Sequence, residues 1–281
     1  MKQILLINDV VGYSHVGMVA MMPILTYMGH STFNLPTALV SNTLDYGRFN
    51  VMETTAYMRD TLPVWDSLGF RFDAACTGLM FSEEQARLVG GYCKRLHDEG
   101  TTVFVDPIMG DGGRLYNGIS QRQVELMREM VSVADLTFPN YTEACYLTGT
   151  PFRADGTTWD EACRMLDGIA ALGARSALIT SACVDGQSCV VGRRSDGPIA
   201  GFRQQLAEGP YFRIDYDEIP AAFHGTGDIF SAVLIGHLMN GATLKESTAR
   251  AMDVVSRLID RNRGQRDKCL GIPIEQCLDL L

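Results

Sequence analysis

The sequence lacks the features of several large classes of protein. It has no run of basic residues longer than two, and 24 basic against 33 acidic residues give a net charge of -9 at pH 7. Nucleic-acid-binding proteins usually carry a basic patch or stripe, so this class is disfavoured. No apolar run approaches the roughly 18 residues of a membrane span, and the apolar run at residues 4–7 is too short for a signal-peptide core. We therefore expect a cytoplasmic protein.

Common metal and phosphate motifs are missing as well. The eight cysteines include no Cys-x-x-Cys pair and no neighbouring His pattern, so they are interpreted as reduced thiols and not as zinc ligands. There is no Gly-x4-Gly-Lys-Ser/Thr segment, and Gly225-Thr226-Gly227 lacks the third glycine of a dinucleotide fingerprint. These absences disfavour a P-loop enzyme and a Rossmann enzyme.

What the chain does contain is a regular alternation of strand-like and helix-like segments. Short apolar runs such as residues 4–7 and 103–105 alternate with helical periodicity, and capping motifs begin several of the predicted helices. We predict an α/β fold, a three-layer sandwich with a central mostly parallel sheet flanked by helices on both faces. No linker or repeat interrupts residues 1–281, so one domain is expected. Residues 188–217 break the alternation and predict antiparallel strands with a mobile loop.

In open sheets of this kind, ligands bind beyond the carboxyl ends of the strands. That rule selects a set of polar segments that lie far apart in the sequence. They are Asn8-Asp9, Asp106 to Asp111, Asn140 to Glu143, Thr180-Ser181 and the helix start at Gly225.

The segment His224-Gly225-Thr226-Gly227-Asp228 precedes an apolar run that ends at Gly241. Small residues before a helix leave its N-terminal N–H groups open to an anion such as phosphate. Asp228 would repel an anion, so we interpret it as a base that takes a proton from a hydroxyl attacking phosphorus. The alternative is an ordinary first-turn acid after a tight glycine turn.

Two further segments carry oxygen ligands. Asp106 and Asp111 follow a buried strand, and carboxylates of this kind suit Mg²⁺ that keeps most of its waters. Asn140 and Glu143 are positioned to orient metal-bound water and phosphate oxygens. The alternatives are a pair of turns for the first segment and a capping box for the second.

Taken in order, these segments resemble the pyridoxal kinase branch of the ribokinase-like superfamily. The resemblance spans nearly the whole chain, and any one motif is weak while several in family order are strong. The matching stretches are Ile7 to Gly17, Val40 to Asn42 with Tyr46-Gly47, Val105 to Asp111, Leu115-Tyr116, Phe138 to Glu143, Ile179 to Ser181, and Gly225 to Asp228.

The resemblance implies transfer of the ATP γ-phosphoryl group to the 5′-hydroxymethyl of a vitamin B6 vitamer, with Mg²⁺ as cofactor, by a homodimer. Asp228 matches the catalytic base and Gly225, Thr226 and Gly227 match the anion hole. Substrate-binding positions are matched by Asp9, Thr43 and Tyr46 together with Asp228. Asp106, Thr180 and Ser181 match nucleotide-site positions, and Asp111, Asn140 and Glu143 match the magnesium network, acting through water. The segment from Arg193 to Pro210 corresponds to a nucleotide-covering loop. Whether a monovalent cation is needed stays open.

The departures from the branch lie on the substrate side. Asp9 stands where the branch usually has Ser, and Thr43-Leu44 stands where it has His-Thr. A carboxylate at Asp9 suits a protonated ring nitrogen or an amine, or it is simply a residue of a turn at a strand end. Two other functions therefore stay open, a kinase of the same fold for hydroxymethylpyrimidine or a sugar, and an idle binding protein for a vitamer or a nucleotide.

Overall fold

The computed structural model describes residues 1–116, 119–195, 197–199, 201 and 209–281. The strands are β1 (Gln3–Tyr13), β2 (Ser31–Asn42), β3 (Val51–Glu53), β4 (Ala74–Thr77), β5 (Thr102–Val105), β6 (Gly110–Asp111), β7 (Arg114–Leu115), β8 (Leu136–Thr137), β9 (Ser176–Val184), β10 (Gln187–Arg193) and β11 (Tyr211–Asp215). The helices are α1 (Met18–Tyr27), α2 (Thr55–Ser67), α3 (Glu83–Asp98), α4 (Gln121–Val131), α5 (Tyr141–Thr148), α6 (Trp159–Ala171), α7 (Thr226–Met239) and α8 (Leu244–Asn262). No helix in the described part of the chain has the length and apolar character that a membrane crossing requires.

The elements form two compact units. Unit 1 comprises Met1–Phe81, Ile219–Ala242 and Glu246–Leu281, and unit 2 comprises Ser82–Glu218 and Thr243–Lys245. The single domain expected from the sequence stays a prediction.

Unit 1 is built on the strands β4, β1, β2 and β3 in that order. β1 pairs parallel with both β2 and β4, and β3 pairs antiparallel with β2. Residues 4–7 of β1 are fully buried, as expected for a parallel strand covered on both faces. Helices α1 and α7 pack against each other, and α1 also packs on β1 and β2.

Strand β1 is longer than the sequence predicts. Residues 8 and 9 are expected beyond the carboxyl end of this strand, and this is wrong, because β1 continues to Tyr13. The pairing with β2 goes from Asn8 opposite Pro36 to Val10 opposite Leu39, so β2 carries one extra residue there. Such a bulge keeps the strands paired while it re-aims the neighbouring side chains. Asn8 and Asp9 are therefore buried within a strand.

Unit 2 contains β5, β8 and β9 as parallel neighbours, followed by β10 and β11, which pair antiparallel. The antiparallel strands expected within residues 188–217 are thus confirmed. The mobile loop expected there, and much of the nucleotide-covering loop expected from Arg193 to Pro210, lie outside the described residues. The predicted capping boxes at the starts of α4 and α6 are present, and Ser82 caps α3.

A buried carboxylate ties together the amino-terminal ends of three strands of unit 2. Asp135 precedes β8, and its Oδ2 accepts the backbone N–H of Val103 in β5 at 2.8 Å. Its Oδ1 accepts a hydrogen bond from Arg175, just before β9, at 2.8 Å, and His97 at the end of α3 lies 3.3 Å from Oδ2. The group has the geometry of a structural ion pair.

Replacing Asp135 by alanine leaves the buried N–H of Val103 without its acceptor and the Arg175 guanidinium without its carboxylate. Because Arg175 is half exposed, we expect a loss of about 2 kcal/mol in the free energy of unfolding, below the full value of a buried pair. Urea denaturation measures it. Asp98→Ala breaks an exposed pair with Lys94 and is the control, for which little change is expected. Equal effects of the two variants would contradict the structural role of Asp135.

Candidate active site

The N-terminus of α7 is open. Its N-cap is Gly225, with a φ of 81°, and within the described chain no side chain caps this end. Gly225 packs so closely on the chain around His15 that a Cβ there would lie 2.7 Å from the His15 carbonyl oxygen. At Gly227 a Cβ would meet no atom within 4 Å. The chain at Gly227 thus leaves room beside the first turn of α7, as an anion site requires.

The Asp228 carboxylate, in the first turn of α7, is held by two donors from unit 1. The backbone N–H of Gly17 donates to Oδ2 at 2.7 Å, and the Asn8 Nδ2 donates to Oδ1 at 3.2 Å. Burial raises the pKa of Asp228, and these two hydrogen bonds, with one from its own backbone N–H, oppose the shift. The carboxylate is thus oriented by its donors and able to accept a proton.

Asn8 is held as tightly as the carboxylate that it contacts. Its Oδ1 accepts the backbone N–H groups of Asp9 and Leu79, both at 3.0 Å. Gly78 makes room for it, because a Cβ at that position would overlap the Asn8 side chain. Asn8 is only 3% exposed, so it has little freedom to choose another rotamer. It therefore acts as a fixed donor to Asp228.

Asp9 lies beside the same helix start. A Cβ at Gly17, whose φ is 58°, would lie 2.8 Å from both the backbone oxygen and the Oδ1 of Asp9. Burial, and then the negative charge of Asp228, raise the pKa of Asp9 to about 7. Two carboxylates, Asp9 and Asp228, thus contact Gly17 from different directions.

The loop that carries Thr43 and Tyr46 is tied to the chain near residue 269. Thr43 Oγ1 donates to the carbonyl of Cys269 at 3.2 Å, and Ser14 Oγ donates to the same carbonyl at 3.3 Å. The Tyr46 hydroxyl donates to Asp267, and this hydrogen bond raises the pKa of Tyr46 to about 12. The predicted substrate residues Thr43 and Tyr46 therefore hold their loop in place.

In unit 2, Asn140 and Glu143 form the capping box that the sequence offered as the alternative interpretation. Asn140 accepts the N–H of Glu143 at 2.9 Å, and Glu143 Oε2 accepts the N–H of Asn140 at 2.8 Å, which is a capping box. The box reaches beyond α5, since Glu143 Oε1 accepts the N–H of Met109 and Asn140 Nδ2 donates to the carbonyl of Gly110. Burial raises the pKa of Glu143 to about 7. The two residues fix the loop that carries Asp111.

Asp111 is the exposed carboxylate of this group. Its Oδ1 accepts the N–H of Gly112 at 2.7 Å, and its charge contributes to the raised pKa of Glu143. Across the described residues, no group of three or more His, Cys, Asp or Glu is placed to hold a metal ion. Since both Glu143 oxygens accept backbone N–H groups, the donor set fits a hydrated Mg²⁺ contacted through water and not a cage of carboxylates.

The predicted nucleotide positions lie close to this loop in the sheet of unit 2. Asp106 directly follows β5, and the N–H of Thr180 donates to the carbonyl of Pro139 at 2.9 Å. β9 continues beyond its predicted end at Ser181 to Val184. Ile179 pairs with Val191 and Ala182 with Cys189, so residues 180 and 181 form a bulge, and the φ of Ser181 is 51°. Non-glycine residues with positive φ are strained and are enriched at functional sites.

Comparison with known proteins decides the family. The model of the phosphomethylpyrimidine kinase family matches residues 25–270. The chain belongs to this family. It is a kinase with an alcohol group as acceptor, of the ribokinase-like superfamily and its pyridoxal kinase branch, as the order of motifs predicts.

Relatives of this kinase carry the names of vitamin B6 kinases. The pyridoxine/pyridoxal/pyridoxamine kinase of Bordetella avium is 29% identical over 262 residues, covering 90% of this chain and 81% of the relative. A solved structure from Bacteroides thetaiotaomicron, described as a phosphomethylpyrimidine kinase and crystallised with pyridoxal, is 30% identical with a TM-score of 0.89, covering 99% of this chain and 95% of that one.

The fold is shared more widely than the sequence. The pyridoxal kinase of Leishmania donovani in complex with ADP and pyridoxamine is 21% identical, with a TM-score of 0.83 over 99% of this chain and 95% of that one. These structural matches confirm the predicted α/β class with a mostly parallel central sheet flanked by helices.

The predicted site residues of this kinase divide between the two units. Unit 1 holds the predicted base, anion hole and substrate residues, and unit 2 holds the predicted nucleotide and metal residues. The sequence predicts no role for Gly17 and Gly78 and no contact of Asn8 with Asp228, although Asn8 and Gly17 lie in a stretch that matches the branch. Gly17 could have been found as the glycine that precedes α1, but Gly78 carries no local signal of its contact with Asn8.

A methyl group at Gly78 tests the alignment of Asp228. Gly78→Ala forces the Asn8 side chain to move and so removes one of the two donors that orient the carboxylate. We expect kcat to fall about 10- to 100-fold, since small displacements of a catalytic group have effects of this size. Steady-state kinetics measure it. Gly91→Ala in α3, where a Cβ meets no atom within 4 Å, is the control, and a Gly78→Ala enzyme with the control's kcat would refute the role of Asn8.

Proposed function

We propose that this protein is an ATP-dependent kinase that transfers the γ-phosphoryl group to the 5′-hydroxymethyl of a vitamin B6 vitamer: pyridoxal, pyridoxine or pyridoxamine. The observation that carries the proposal is the Asp228 carboxylate, oriented by Gly17 and Asn8 at the open N-terminus of α7. A base beside an anion site is what attack by an alcohol on phosphorus requires.

In this mechanism Asp228 accepts the proton of the acceptor hydroxyl. The hydroxyl oxygen forms its bond to the γ-phosphorus, the bond between that phosphorus and the β,γ-bridging oxygen breaks, and ADP leaves. The N–H groups around Gly225, Thr226 and Gly227 hold the charge on the transferring phosphoryl group. Because the pKa of Asp228 is raised above the ordinary value of an aspartate, its carboxylate accepts the proton more readily than an ordinary aspartate does.

Asp106, Thr180 and Ser181 are proposed as nucleotide-binding residues. Asp111, Asn140 and Glu143 would hold Mg²⁺ through its water molecules, and this ion supplies charge neutralisation for the triphosphate. The contacts of Asn140 and Glu143 with the loop at Met109 and Gly110 support this assignment, because they keep the exposed Asp111 in one position. The pyridoxal kinase that was crystallised with ADP supports ATP as the donor.

The acceptor assignment follows the relatives, one of which contains pyridoxal in its crystals. Hydroxymethylpyrimidine is the second candidate acceptor. It is favoured by the description of the matching family and by Asp9, a buried carboxylate able to accept a hydrogen bond from an amine. A sugar has only hydroxyl groups to donate to the Asp9 carboxylate, so Asp9 does not favour a sugar as the acceptor.

The decisive experiment is a coupled assay of ADP release with the purified protein, ATP and Mg²⁺. Pyridoxal, pyridoxine, pyridoxamine, hydroxymethylpyrimidine and ribose are each tested as acceptors, and mass spectrometry identifies the phosphorylated product. We expect ADP to be released only when a vitamer is present as the acceptor. ADP release only with hydroxymethylpyrimidine or ribose would show that this compound, and not a vitamer, is the acceptor. Binding of a vitamer without any ADP release would identify an idle binding protein.

We also propose that the whole chain acts as one kinase domain and assembles as a homodimer. Leu39 of β2 and Met52 of β3 pair in register, and they are 43% and 55% exposed. Large exposed apolar patches mark interaction surfaces, and we propose that this pair belongs to one. Analytical ultracentrifugation of the wild type and of Leu39→Asp tests the assembly, with a dimer expected only for the wild type.

A further inference from the structure

Asp9 is a carboxylate that the proposed mechanism does not use. It is 8% exposed, and one of its oxygens lies against Gly17, whose N–H donates to Asp228. Its main interaction with another charged group is repulsive and comes from Asp228. In the described part of the chain, no Lys, Arg or His forms an ion pair with Asp9. A buried negative charge of this kind is unfavourable unless a cation or a donor arrives from outside.

The two carboxylates differ in how the protein holds them. Asp228 receives hydrogen bonds from Gly17 and Asn8, so its position is fixed by the fold. Among the residues that the structure describes, the Asp9 carboxylate has only its own backbone N–H as a donor, and that N–H also donates to Asn8 Oδ1. The remaining lone pairs of the carboxylate are left for a ligand. A serine hydroxyl at this position would accept or donate, whereas an ionised carboxylate only accepts.

We propose that the Asp9 carboxylate pairs with a positively charged nitrogen of the acceptor, a ring N–H or an ammonium group, and so selects cationic hydroxymethyl heterocycles. The inference rests on the proposed function, because it assigns the acceptor of that same site. Both carboxylates lie beside Gly17, so we expect an acceptor with its hydroxyl at Asp228 to bring a nitrogen about one ring away to Asp9. Asp9 is thus a specificity-determining residue.

The experiment compares three acceptors in the wild type and in Asp9→Asn. Pyridoxamine carries an ammonium group and a ring nitrogen, pyridoxine carries the ring nitrogen alone, and the benzene analogue of pyridoxine carries neither. Removing one partner of a buried charge pair lowers affinity by at least about 30-fold. We therefore expect the ratio of kcat/KM for pyridoxine over the benzene analogue to fall about 30-fold if the ring N–H is the partner. If the ammonium group is the partner, the ratio for pyridoxamine over pyridoxine falls instead.

Ratios between acceptors cancel any general effect of Asp9 on Asp228. A variant in which kcat/KM falls equally for all three acceptors would overturn the proposal, because Asp9 would then act only through the base. Unchanged ratios with full activity would overturn it as well. Asp9→Ser is the second variant, and it must show the same fall in ratio if Asp9→Asn folds poorly, as judged by its melting temperature. A wild type that phosphorylates none of the acceptors would contradict the proposed function and not the pairing.

Discussion

Asp228→Asn is expected to lower kcat roughly 10²- to 10⁴-fold, the range found when a general base is removed. The asparagine side chain has the same shape, and its oxygen still accepts a hydrogen bond from the Gly17 N–H or from Asn8. It cannot take a proton from the acceptor hydroxyl. The affinity for ATP, measured by equilibrium binding, should change little because the proposed nucleotide residues belong to unit 2.

The control for this substitution is an acid in the first turn of another helix. Asp160 lies in the first turn of α6 and is exposed. Asp160→Asn loses only the interaction with the helix dipole, which has no effect on turnover. If Asp228 is also an ordinary first-turn acid, the two variants will have the same kcat. That result would refute the assignment of the base, and with it the proposed mechanism.

The sequence is sufficient to predict the start of α7 because the signals there are local. Glycines at positions 225 and 227, an acid in the first turn and an apolar helix lie within one short stretch. The prediction of an open helix end needs nothing from the rest of the chain. The α/β class is predicted for the same reason, since the periodicity of each segment is a local property.

The orientation of Asp228 could not be predicted, because it depends on residues more than 200 positions away. Asn8 and Gly17 reach the carboxylate only after β1 pairs with its neighbours and α1 packs on α7. Asn8 was expected beyond the carboxyl end of the strand, where polar residues are common. The bulge in β2 and the space left by Gly78 allow it to stay in the strand, and neither feature has a signature in the sequence of β1.

Asn140 and Glu143 show why the sequence left two interpretations. The spacing that places an acid near a metal is also the spacing of a capping box, and the structure contains the box. What the sequence could not supply is the contact of Glu143 with the N–H of Met109, which links the cap to the loop of Asp111. The capping role is therefore observed, and the role in binding Mg²⁺ stays a proposal that the same geometry supports.

Asp9→Asn is expected to stabilise the folded protein at alkaline pH even though it harms selection of the acceptor. The pKa of Asp9 rises from the ordinary 3.8 to about 7 on folding. Below about pH 3 the carboxyl is protonated in both states and has no effect. As the pH rises to 7, the unfolded state ionises first, so the folded state loses stability relative to it, and above pH 7 the loss is complete. Asparagine does not titrate and avoids this loss.

The advantage of Asp9→Asn over the wild type should therefore grow by about 2 kcal/mol between pH 5 and pH 8, which is roughly 4 °C in melting temperature for a chain of this size. Thermal denaturation at several pH values measures it. Asp73 is the control of opposite sign, because hydrogen bonds from the Gln3 N–H and from Lys2 outweigh the effect of burial and lower its pKa. Asp73→Asn should lose stability at neutral pH. An advantage of Asp9→Asn that does not depend on pH would show that Asp9 is not a buried, unneutralised acid, and the case for a cationic acceptor would lose its physical basis.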